Sequence, residues 1–566
     1  ESEKHEQAVD TDVAEDHRQK AFEKLREARE DLVSDIHADF VEAGIEGLNQ
    51  ETVAEMQPFN WVLEFAEVYA DGGFDVVVGN PPWDRIKANR DNFFSRYDSN
   101  FRGLSTNQKD DRQQELLEDS GIADKWAQYQ REKEIQSTYF NEGEAYTKQR
   151  SKVAGRTQSS ENDLSSLFFE RVFEIARQDG YVSQVLPGRI FHGAPTKTLR
   201  QHLLDETTVE SLVSFENHGI FDSIDNRYNF GVVTFENQGY TETLKGIFQS
   251  KDLEILQEPD KHLIDIPRSV LTNFAPSSLL FPRIQSKEDV GVLESAVSHP
   301  SVGDESRNWY ANPFYPLHKT SDKERFFDSP DGCDYPILTG RNFFQFSYDP
   351  TFYEDIDPPF QWSVNEEKDP ERSAKQRIRE KKVRELKRGL YDAFDGSGSM
   401  KGFVNELLED TRGNPLSPDD VLLPSTTYRI GFRRVARGTD ERSMISAVVP
   451  PGPVCDYSFY VVEPFEITPS EEDLSDSPLH GVYESVYSDR ELFAAVGLFN
   501  SMPFDFLIRR KIDNSIPIYS FKETQVPDLT SGEEWFDYIW KRAARLNCYG
   551  DEFEDMRDRL GGIDPA

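Results

Sequence analysis

Cysteine is scarce in this chain of 566 residues, and no stretch of it is both long and apolar. The three cysteines, Cys333, Cys455 and Cys548, stand far apart and form neither a CxxC pair nor a Cys/His pair. This spacing argues against a disulfide framework and a structural zinc site, so we predict no metal and expect three small core residues. No run approaches the roughly 18 apolar residues of a membrane span, and nothing resembles a signal peptide. We therefore expect a soluble, cytoplasmic protein with no membrane partner.

Lysine is also sparse, whereas acidic residues are abundant. The chain has 64 Lys and Arg against 104 Asp and Glu, which gives a formal net charge of −40, and only 25 of the basic residues are Lys. The carboxylates are dispersed along the whole chain, which favours a halophilic protein, because concentrated salt screens their mutual repulsion. Taken alone, this charge argues against a nucleic-acid partner.

The order of the predicted elements indicates an α/β region followed by a region of different character. Residues 1–58 have a polar helical pattern, and residues 85–160 are charged and Gln-rich, which indicates an insertion. Strands are predicted at 74–79, 181–186, 209–215 and 230–235, with helices from Asp163 to Gly180 and around 199–204. This alternation predicts an α/β sheet with crossover connections. Beyond 245 the strands are short and broken by prolines, with helices predicted at 371–388, near 490–510 and at 533–547.

The strongest local signal is Asn80-Pro81-Pro82-Trp83, directly after the strand at 74–79. A rigid turn at the end of a strand would also explain two prolines, since proline fixes φ and has no N–H. The chemical interpretation is that the Asn80 carboxamide oxygen and the Pro81 carbonyl accept hydrogen bonds from an amino group whose lone pair is delocalised into a ring. The Trp83 ring then offers a stacking face for a planar substrate. The pattern indicates a pocket that activates an amino group.

The residues around this loop resemble a known family. Phe59-Asn60-Trp61, Phe65 and the run 72–83 look like the catalytic stretch of class gamma adenine-N6 DNA methyltransferases. The resemblance is greatest to the methylase part of type IIG restriction–modification enzymes and related phage-defence methylases. Residues 180–187 with Phe191 and Leu199-Arg200 resemble the strand and helix that follow the loop. Residues 215–221 and 230–235 are similar to the hairpin whose aromatic residue packs on the flipped adenine.

This resemblance implies a reaction and a set of site residues. It implies methyl transfer from S-adenosylmethionine to adenine N6 in double-stranded DNA, with catalytic roles for Asn80, Pro81, Pro82 and Trp83. Asn80 and Pro81 would accept hydrogen bonds from the adenine amino group, and Trp83 and Phe221 would be the two stacking faces. The target base would have to be flipped out of the duplex, because stacking and pairing hide its amino group.

The resemblance also implies a fold and a domain order. The fold expected is α/β, the C-terminal portion of a Rossmann-like methyltransferase sheet, followed by an α+β target-recognition domain with terminal helices. Residues 335–342, 428–435 and 498–509 resemble segments of that recognition domain. The expected domains are a helical lead-in at 1–58, the methyltransferase catalytic portion at 59–245 with its insertion at 85–160, the target-recognition domain at 246–485 and its C-terminal helical part at 486–566.

Two basic clusters interrupt the acidic sequence. Residues 368–388 contain ten Lys or Arg against four acids, and residues 428–442 contain five Arg against two acids. A solvated, salt-bridged helix would explain the first cluster, but basic residues retained inside a recognition domain favour contact with phosphates or bases. The predicted DNA-binding residues are Arg377, Lys381, Arg384, Arg388, Arg429, Arg433, Arg434 and Arg437.

The family's Gly-rich F-x-G-x-G loop, which holds the methionine end of the cofactor, does not occur in this sequence. The cofactor-binding residues therefore stay unassigned, and the 79 residues before Asn80 are too few for the strands of that site. We expect the chain to be the C-terminal part of a longer enzyme, or a partner subunit to supply the missing half. No nuclease motif stands out, so an endonuclease would lie outside this sequence.

Two other functional classes remain open from the sequence. A DNA-specificity protein or remnant without catalysis would explain the missing cofactor loop directly. An amino-group methyltransferase acting on protein or RNA is the further alternative, because Asn-Pro-Pro-aromatic loops also serve there.

Overall fold

A computed structural model describes residues 11–158, 163–221, 225, 228–348 and 361–566 of the chain, which divides into two compact units. The first unit runs to Thr272 and includes Ser278–Val290, and the second comprises Asn273–Ser277 and Gly291–Ala566. The division lies beyond residue 245 because strands Thr243–Ser250 and Ile264–Pro267 continue the sheet of the first unit. The domain boundaries given above stay predictions.

A six-stranded mixed sheet forms the centre of the first unit. Its strands are β1 Phe74–Gly79, β2 Ala176–Pro187, β3 Thr208–Glu216, β4 Asn229–Glu236, β5 Thr243–Ser250 and β6 Ile264–Pro267, in the spatial order β1-β2-β4-β3-β5-β6. β1 is parallel to β2 and β3 is parallel to β5, whereas β4 is antiparallel to both β2 and β3. The predicted α/β class is thus confirmed as a mixed α/β fold, while its identity as part of a Rossmann-like sheet stays a prediction.

The helix predicted from Asp163 begins where expected but ends earlier. Asp163 is the N-cap of helix Leu164–Ile175, since its side chain accepts a hydrogen bond from the backbone N–H of Ser165. At the other end, Asn237 Nδ2 donates to the carbonyl oxygen of Phe173 at 3.0 Å. This side chain therefore satisfies a carbonyl that has no partner within the helix.

Gly180 does not end that helix, contrary to the prediction. It lies inside β2, where the chain bulges between two pairing positions with β1. A Cβ atom at position 180 would come within 2.9 Å of the carbonyl oxygen of Phe74. Glycine is needed because the backbone of β1 comes so close, and a pattern of apolar residues carries no information about that approach.

The remaining helices of the first unit precede the sheet, form the insertion or connect the strands. They are Thr11–Glu42, Gln50–Glu55, Trp61–Glu64, Ala66–Ala70, Arg90–Phe94, Thr106–Leu117, Ser120–Glu142, Arg189–His192, Lys197–Asp205 and Pro259–His262. The insertion also holds the short hairpin Lys152–Val153 and Arg156–Thr157. Phe93, Phe94, Phe101 and Trp126 form its buried aromatic core. The insertion has little apolar periodicity, and these four aromatic residues form its core instead.

The second unit combines short sheets with helices. A four-stranded antiparallel sheet has the spatial order Ser446–Val449, Arg429–Arg433, Phe459–Val462 and Pro313–Phe314. A three-stranded sheet contains Gln361–Ser363, Tyr335–Leu338 and Val454–Cys455, and two hairpins pair Phe343–Phe344 with Ser347–Tyr348 and Phe465–Ile467 with Tyr483–Ser485. Its helices are Ala374–Ala393, Met400–Arg412, Asp489–Phe499, Met502–Arg509, Ile518–Lys522, Glu534–Asn547 and Glu554–Arg559. Helices Arg268–Phe274 and Lys287–Ala296 lie where the chain passes from one unit to the other.

The predicted helix near 490–510 is two helices in the structure. Asp489–Phe499 and Met502–Arg509 are bent by 59° at the break between them. Among the described residues no single helix is long and apolar enough to cross a membrane, and this bent pair meets the criterion only when its two parts are joined. Cys455 and Cys548 are buried as predicted, whereas Cys333 is only partly buried.

The second unit buries a lysine without a carboxylate in hydrogen-bonding contact. Lys511 Nζ donates to the backbone carbonyl of Glu523 at 2.9 Å and lies 4.5 Å from the centre of the Phe274 ring. Burial lowers the pKa of Lys511 to about 8, although the charge of Glu523 acts in the opposite direction. The unfolded chain, with an ordinary lysine pKa, therefore binds a proton more readily than the folded chain does.

We expect Lys511→Met to change how stability depends on pH. Between pH 8 and 10.5 the unfolded parent holds a proton on Lys511 that the native state has lost, so the parent gains stability relative to the variant as the pH rises. The total change is about 3 kcal/mol. Thermal unfolding midpoints of parent and variant between pH 7 and 10 measure it, with the exposed Lys401→Met as control. A parent–variant difference that does not change with pH would contradict this account.

Candidate active site

Three connections meet at one end of the sheet in the first unit. β2 and β3 are both antiparallel to β4 and thus parallel to each other, and β1 is parallel to β2. The segments that follow these strands, at 80–83, 188–189 and 217–221, therefore leave from the same edge. The carboxyl ends of parallel strands are where α/β sheets commonly place their sites.

The Asn80–Trp83 loop directly follows β1. Asn80 and Pro82 are exposed, Pro81 is buried and Trp83 is half-buried. Within the part of the chain that the structure describes, the Asn80 carboxamide has no hydrogen-bond partner. Its oxygen is thus available to accept a hydrogen bond from a substrate, and the two prolines add no competing N–H.

The two predicted stacking residues contact each other. The ring centroids of Trp83 and Phe221 are 5.4 Å apart with an interplanar angle of 67°, and Phe230 lies behind both. A base between two parallel rings needs about 7 Å, which is two contact distances. The structure therefore brings the predicted residues together but shows the slot closed. A flat substrate can enter only if the two rings separate.

Phe221 is held by the segment that follows β3. Asn217 Oδ1 accepts a hydrogen bond from the Phe221 backbone N–H at 2.9 Å, and Asn217 Nδ2 donates to the Phe221 carbonyl at 3.2 Å. Asn217 itself is buried. These bonds fix the backbone at Phe221, so a rotation of its side chain is the movement that would open the slot.

Two residues that the sequence analysis did not assign to the site hold the end of the loop. Arg189 Nη2 donates to the Trp83 carbonyl at 3.2 Å and forms an ion pair with Asp163. Asp163 was expected only as a helix cap. The one signal in the sequence was that Arg189 follows the predicted strand at 181–186 closely, as the loop follows its own strand.

β1 is the terminal strand of the sheet, and none of the described residues covers one of its faces fully. The side chains of Val76 and Val78 point to this face and are 59% and 76% exposed. Tyr181, paired with Val76 on β2, is exposed beside them. Exposed β-branched residues on an unprotected edge strand are unusual in an isolated sheet. Such an edge pairs readily with another strand.

The described residues do not provide a complete site for S-adenosylmethionine. No Gly-rich loop follows a strand of the sheet, and the outer edge of β1 has no strand partner in the described ranges. Those ranges also contain no cluster of three or more His, Cys, Asp or Glu residues arranged to hold a metal ion. What the residues present can do is bind and orient an amino group.

The basic helix Ala374–Ala393 of the second unit is anchored on one side and exposed on the other. Arg377 Nε and Lys381 Nζ bind the buried Asp322 at 2.9 and 2.6 Å. The side chains of Arg384 and Arg388 are exposed. Of the four residues predicted to bind DNA on this helix, the first two thus have a structural partner, and the last two face solvent.

The second basic cluster divides in the same way. Arg429 is 1% exposed and donates to the backbone carbonyls of Pro450 and Pro453, so we assign it a structural role and remove it from the predicted DNA-binding set. Arg433 donates to the Phe343 carbonyl at 2.7 Å and is partly buried. Arg434 lies over the Tyr457 ring, and Arg437 is exposed.

Residues 10–113 and 129–221 match the Eco57I restriction-modification methylase family. The matched segments contain the Asn80–Trp83 loop, Asp163, Arg189 and, as their last residue, Phe221. The family is a methylase family, which agrees with the interpretation of the loop as an amino-group pocket. The class of methylated base is not part of this match. No curated protein matches the chain.

Several solved structures are similar to parts of the chain. The type IIL restriction-modification enzyme MmeI in complex with DNA has 10% sequence identity and a TM-score of 0.36, with 83% of this chain and 48% of that chain covered. A nuclease-deletion mutant of the Type ISP enzyme LlaGI has 10% identity and a TM-score of 0.35, over 90% and 44%. The type IIG restriction endonuclease BpuSI has 12% identity and a TM-score of 0.25, over 73% and 50%. The chain spans half or less of the length of these proteins.

We expect Asp322→Asn to destabilise the unit that carries the basic helix. Burial would raise the pKa of the Asp322 carboxyl, but hydrogen bonds from Lys381, the His318 backbone N–H and Arg377 outweigh burial and lower it below the usual value. The carboxylate therefore stabilises the native state at neutral pH, and this contribution is lost as the pH falls below about 4.

Loss of this charge at neutral pH should cost about 2 kcal/mol. The urea unfolding midpoint at pH 7 measures the loss, and the difference from the parent should shrink as the pH is lowered. Asp392→Asn, on an exposed position of the same helix, is the control and should leave the midpoint unchanged. Equal midpoints for Asp322→Asn and the control would show that the anchor is not a stabilising contact.

Proposed function

We propose that this chain is the catalytic-loop and DNA-recognition part of a site-specific adenine-N6 DNA methyltransferase. It would act in a restriction–modification or phage-defence system of the type IIG kind, with S-adenosylmethionine as methyl donor. The observation that carries the proposal is the exposed Asn80 carboxamide at the carboxyl end of β1, directly before two prolines and the Trp83 ring, with no hydrogen-bond partner among the described residues. The match to the Eco57I methylase family supports it.

The proposed role of the loop is to position an amino nitrogen and raise its reactivity. The Asn80 carboxamide oxygen and the Pro81 carbonyl accept the two N–H groups of the adenine amino group. These two bonds favour the build-up of positive charge on the nitrogen as it forms its new bond, and they direct its lone pair away from the ring. The cofactor, when bound, supplies an electrophilic methyl group.

A flipped adenine would enter between Trp83 and Phe221. Flipping costs a few kcal/mol, and stacking on an aromatic ring returns roughly 1–3 kcal/mol per base. Because the centroids of the two rings are 5.4 Å apart, the rings have to separate before a base can stack between them. In the closed arrangement each ring is only partly buried, so part of its surface is covered by the other ring and part faces solvent.

We also propose that the cofactor-binding half of the enzyme adds to the open edge of β1. One more strand would pair with that edge, and an element packed on the open face beside it would cover Val76 and Val78, with the cofactor next to Asn80 at the carboxyl end of β1. Supply by the same polypeptide or by a partner subunit is compatible with this arrangement. The uncovered pair of β-branched residues at a sheet edge supports the proposal, since such an edge pairs readily with another strand.

A DNA-specificity protein without catalysis is the second candidate, and the incomplete cofactor site favours it. Calorimetry with S-adenosylmethionine, carried out on this chain alone and on the product of its full coding sequence, distinguishes the two. Binding by the full-length product supports the methyltransferase. Absence of binding by both favours the specificity protein.

We expect Asn80→Ala to abolish methyl transfer while DNA binding persists. Loss of one fixed hydrogen-bonding group in a catalytic site costs at least about 100-fold in rate. Transfer of a radiolabelled methyl group to duplex DNA measures the rate, and fluorescence anisotropy measures DNA affinity. Asn100→Ala, an exposed asparagine outside the loop, is the control and should keep the parental rate. Methylation retained by Asn80→Ala would disprove the assignment of the loop.

The exposed arginines of the basic helix are proposed to contact DNA phosphates. Arg384 and Arg388 face solvent in a segment that stays basic inside a strongly acidic chain. Each phosphate contact releases about one condensed counterion, so the number of contacts appears in the salt dependence of binding. The dispersed carboxylates then belong to a salt-adapted surface, which we propose is halophilic, rather than to the DNA-binding surface.

We expect the double variant Arg384→Ala/Arg388→Ala to weaken DNA binding at every sequence tested. The slope of log affinity against log salt concentration should become shallower by about 2, because two phosphate contacts are lost. Anisotropy titrations over a salt series measure the slope. Lys24→Ala/Arg26→Ala removes the same charge from exposed positions in the first unit and is the control. An equal loss of affinity in both double variants would mean that net charge alone determines binding.

A further inference from the structure

We infer that the Arg189–Asp163 ion pair is a positioning device for the Asn80–Trp83 loop; we call this pair the loop clamp. The inference rests on the proposed function, since its effect is expected on the rate of methyl transfer. Neither side chain belongs to the loop, and neither is proposed to touch the base. The clamp acts through the backbone at the end of the loop.

Two consecutive carbonyl groups are bound as the chain leaves the loop, the first by the clamp and the second by the residue after Asp163. Arg189 Nη2 donates to the Trp83 carbonyl at 3.2 Å, and the backbone N–H of Leu164 donates to the Asp84 carbonyl at 3.0 Å. Arg85 and Asp163 form an antiparallel bridge at the next position. Of the three residues after Pro82, Trp83 is therefore bonded to Arg189, and Asp84 and Arg85 are bonded to the segment that begins at Asp163.

The loop needs such external donors because it contains two prolines. Neither Pro81 nor Pro82 has a backbone N–H, so the loop cannot form the bonds that usually fix a turn. β1 before it is an edge strand with a partner on one side only. The direction of Asn80 thus depends on where the chain is held after Trp83.

The two carboxylate oxygens of Asp163 have separate partners. Oδ1 accepts a hydrogen bond from the Ser165 backbone N–H at 2.9 Å and caps helix Leu164–Ile175, whereas Oδ2 pairs with Arg189. The Asp163 side chain is buried, and that of Arg189 is about one-third exposed. A buried carboxylate that loses its cation is costly, so the pair stays formed.

Arg189 is itself held in place from behind. Its carbonyl accepts hydrogen bonds from the Gly193 backbone N–H at 2.7 Å and from Thr196 Oγ1 at 3.0 Å. The wholly buried Arg200 donates to Thr196 Oγ1 at 2.7 Å and to the Ile190 carbonyl at 2.6 Å. These bonds fix the short helix Arg189–His192 after β2. Through the clamp, this fixed helix therefore holds the end of the loop in position.

Geometry explains why this contact bears on rate rather than on affinity. The clamp holds the residue whose ring is proposed to stack on the base, and it lies three residues after Asn80 along a chain stiffened by prolines. A displacement of about 1 Å at a reacting group can cost roughly 100-fold in rate. The DNA contacts proposed for the second unit involve other residues.

The test uses variants that separate the clamp from the helix cap. Arg189→Gln removes the cation. Asp163→Asn removes the charge facing Arg189 but keeps an oxygen that caps the helix, since Asn is as good an N-cap as Asp. Arg189→Lys keeps a cation and should restore part of the parental behaviour. The control is Arg177→Gln, which removes a similar pair with Asp75, 3.0 Å away, at the opposite end of β1.

The first readout is ¹⁹F NMR of the chain labelled with 5-fluorotryptophan. The chain has seven tryptophans, and Trp83→Phe identifies the Trp83 resonance. We expect Arg189→Gln and Asp163→Asn to shift or broaden the Trp83 resonance while the others and the thermal midpoint of Asp163→Asn stay unchanged. The control should leave Trp83 unaffected. A Trp83 resonance that is unchanged in both clamp variants, or changes at all seven tryptophans in both, would overturn the inference.

The second readout is methyl transfer by the full-length enzyme with its cofactor-binding half. We expect kcat to fall between about 10- and 100-fold in both clamp variants with KM for DNA within about threefold of the parent. Arg189→Lys should lie between them and the parent. A parental kcat in both variants would refute the positioning role. If the parent itself transfers no methyl group, the proposed function fails, and the Trp83 resonance still decides whether the clamp exists.

Discussion

The absence of backbone N–H groups at Pro81 and Pro82 is the constraint on which the site depends. A loop in which two of four residues lack a backbone N–H is held mainly through its carbonyl groups, and the donors come from other segments. The parallel pairing of β1 with β2 brings Arg189 to the end of the loop, and the bridge between Arg85 and Asp163 brings the helix start to it. The same prolines that leave the Asn80 oxygen free thus require the clamp that orients it.

The sequence predicted those parts of this site that depend on neighbours along the chain. The loop, its strand and the Asp163 cap are local patterns of a few residues, and the structure contains each of them. The clamp joins Arg189 to Trp83 across 106 residues, and no periodicity carries such a contact. The closed arrangement of Trp83 and Phe221 was missed because a motif identifies two stacking residues but not the distance between their rings.

The roles of the basic residues also depend on contacts that local sequence patterns do not predict. The sequence showed where basic residues cluster, but the role of each one depends on acids and carbonyl groups far away in the chain. Asp322 lies 55 residues before Arg377, and its hydrogen bond with Arg377 anchors the first half of the basic helix. Arg429 is buried against backbone carbonyls, which an alternating strand pattern does not reveal. Ion pairing in one cluster and burial in the other therefore separate residues that hold the fold from exposed residues that we propose contact DNA.

The open edge of β1 connects these observations. Edge strands are normally protected by charge or by proline, yet β1 presents Val76 and Val78 in a chain that is otherwise rich in surface carboxylates. An apolar face that persists under such a composition is best understood as one that another strand or helix covers. Asn80 then stands at a junction, fixed on one side by the clamp and completed on the other by the cofactor-binding half we propose. Catalysis would require the clamp and the cofactor-binding half to be in place at the same time. If either were misplaced, the amino group would be bound but would not react.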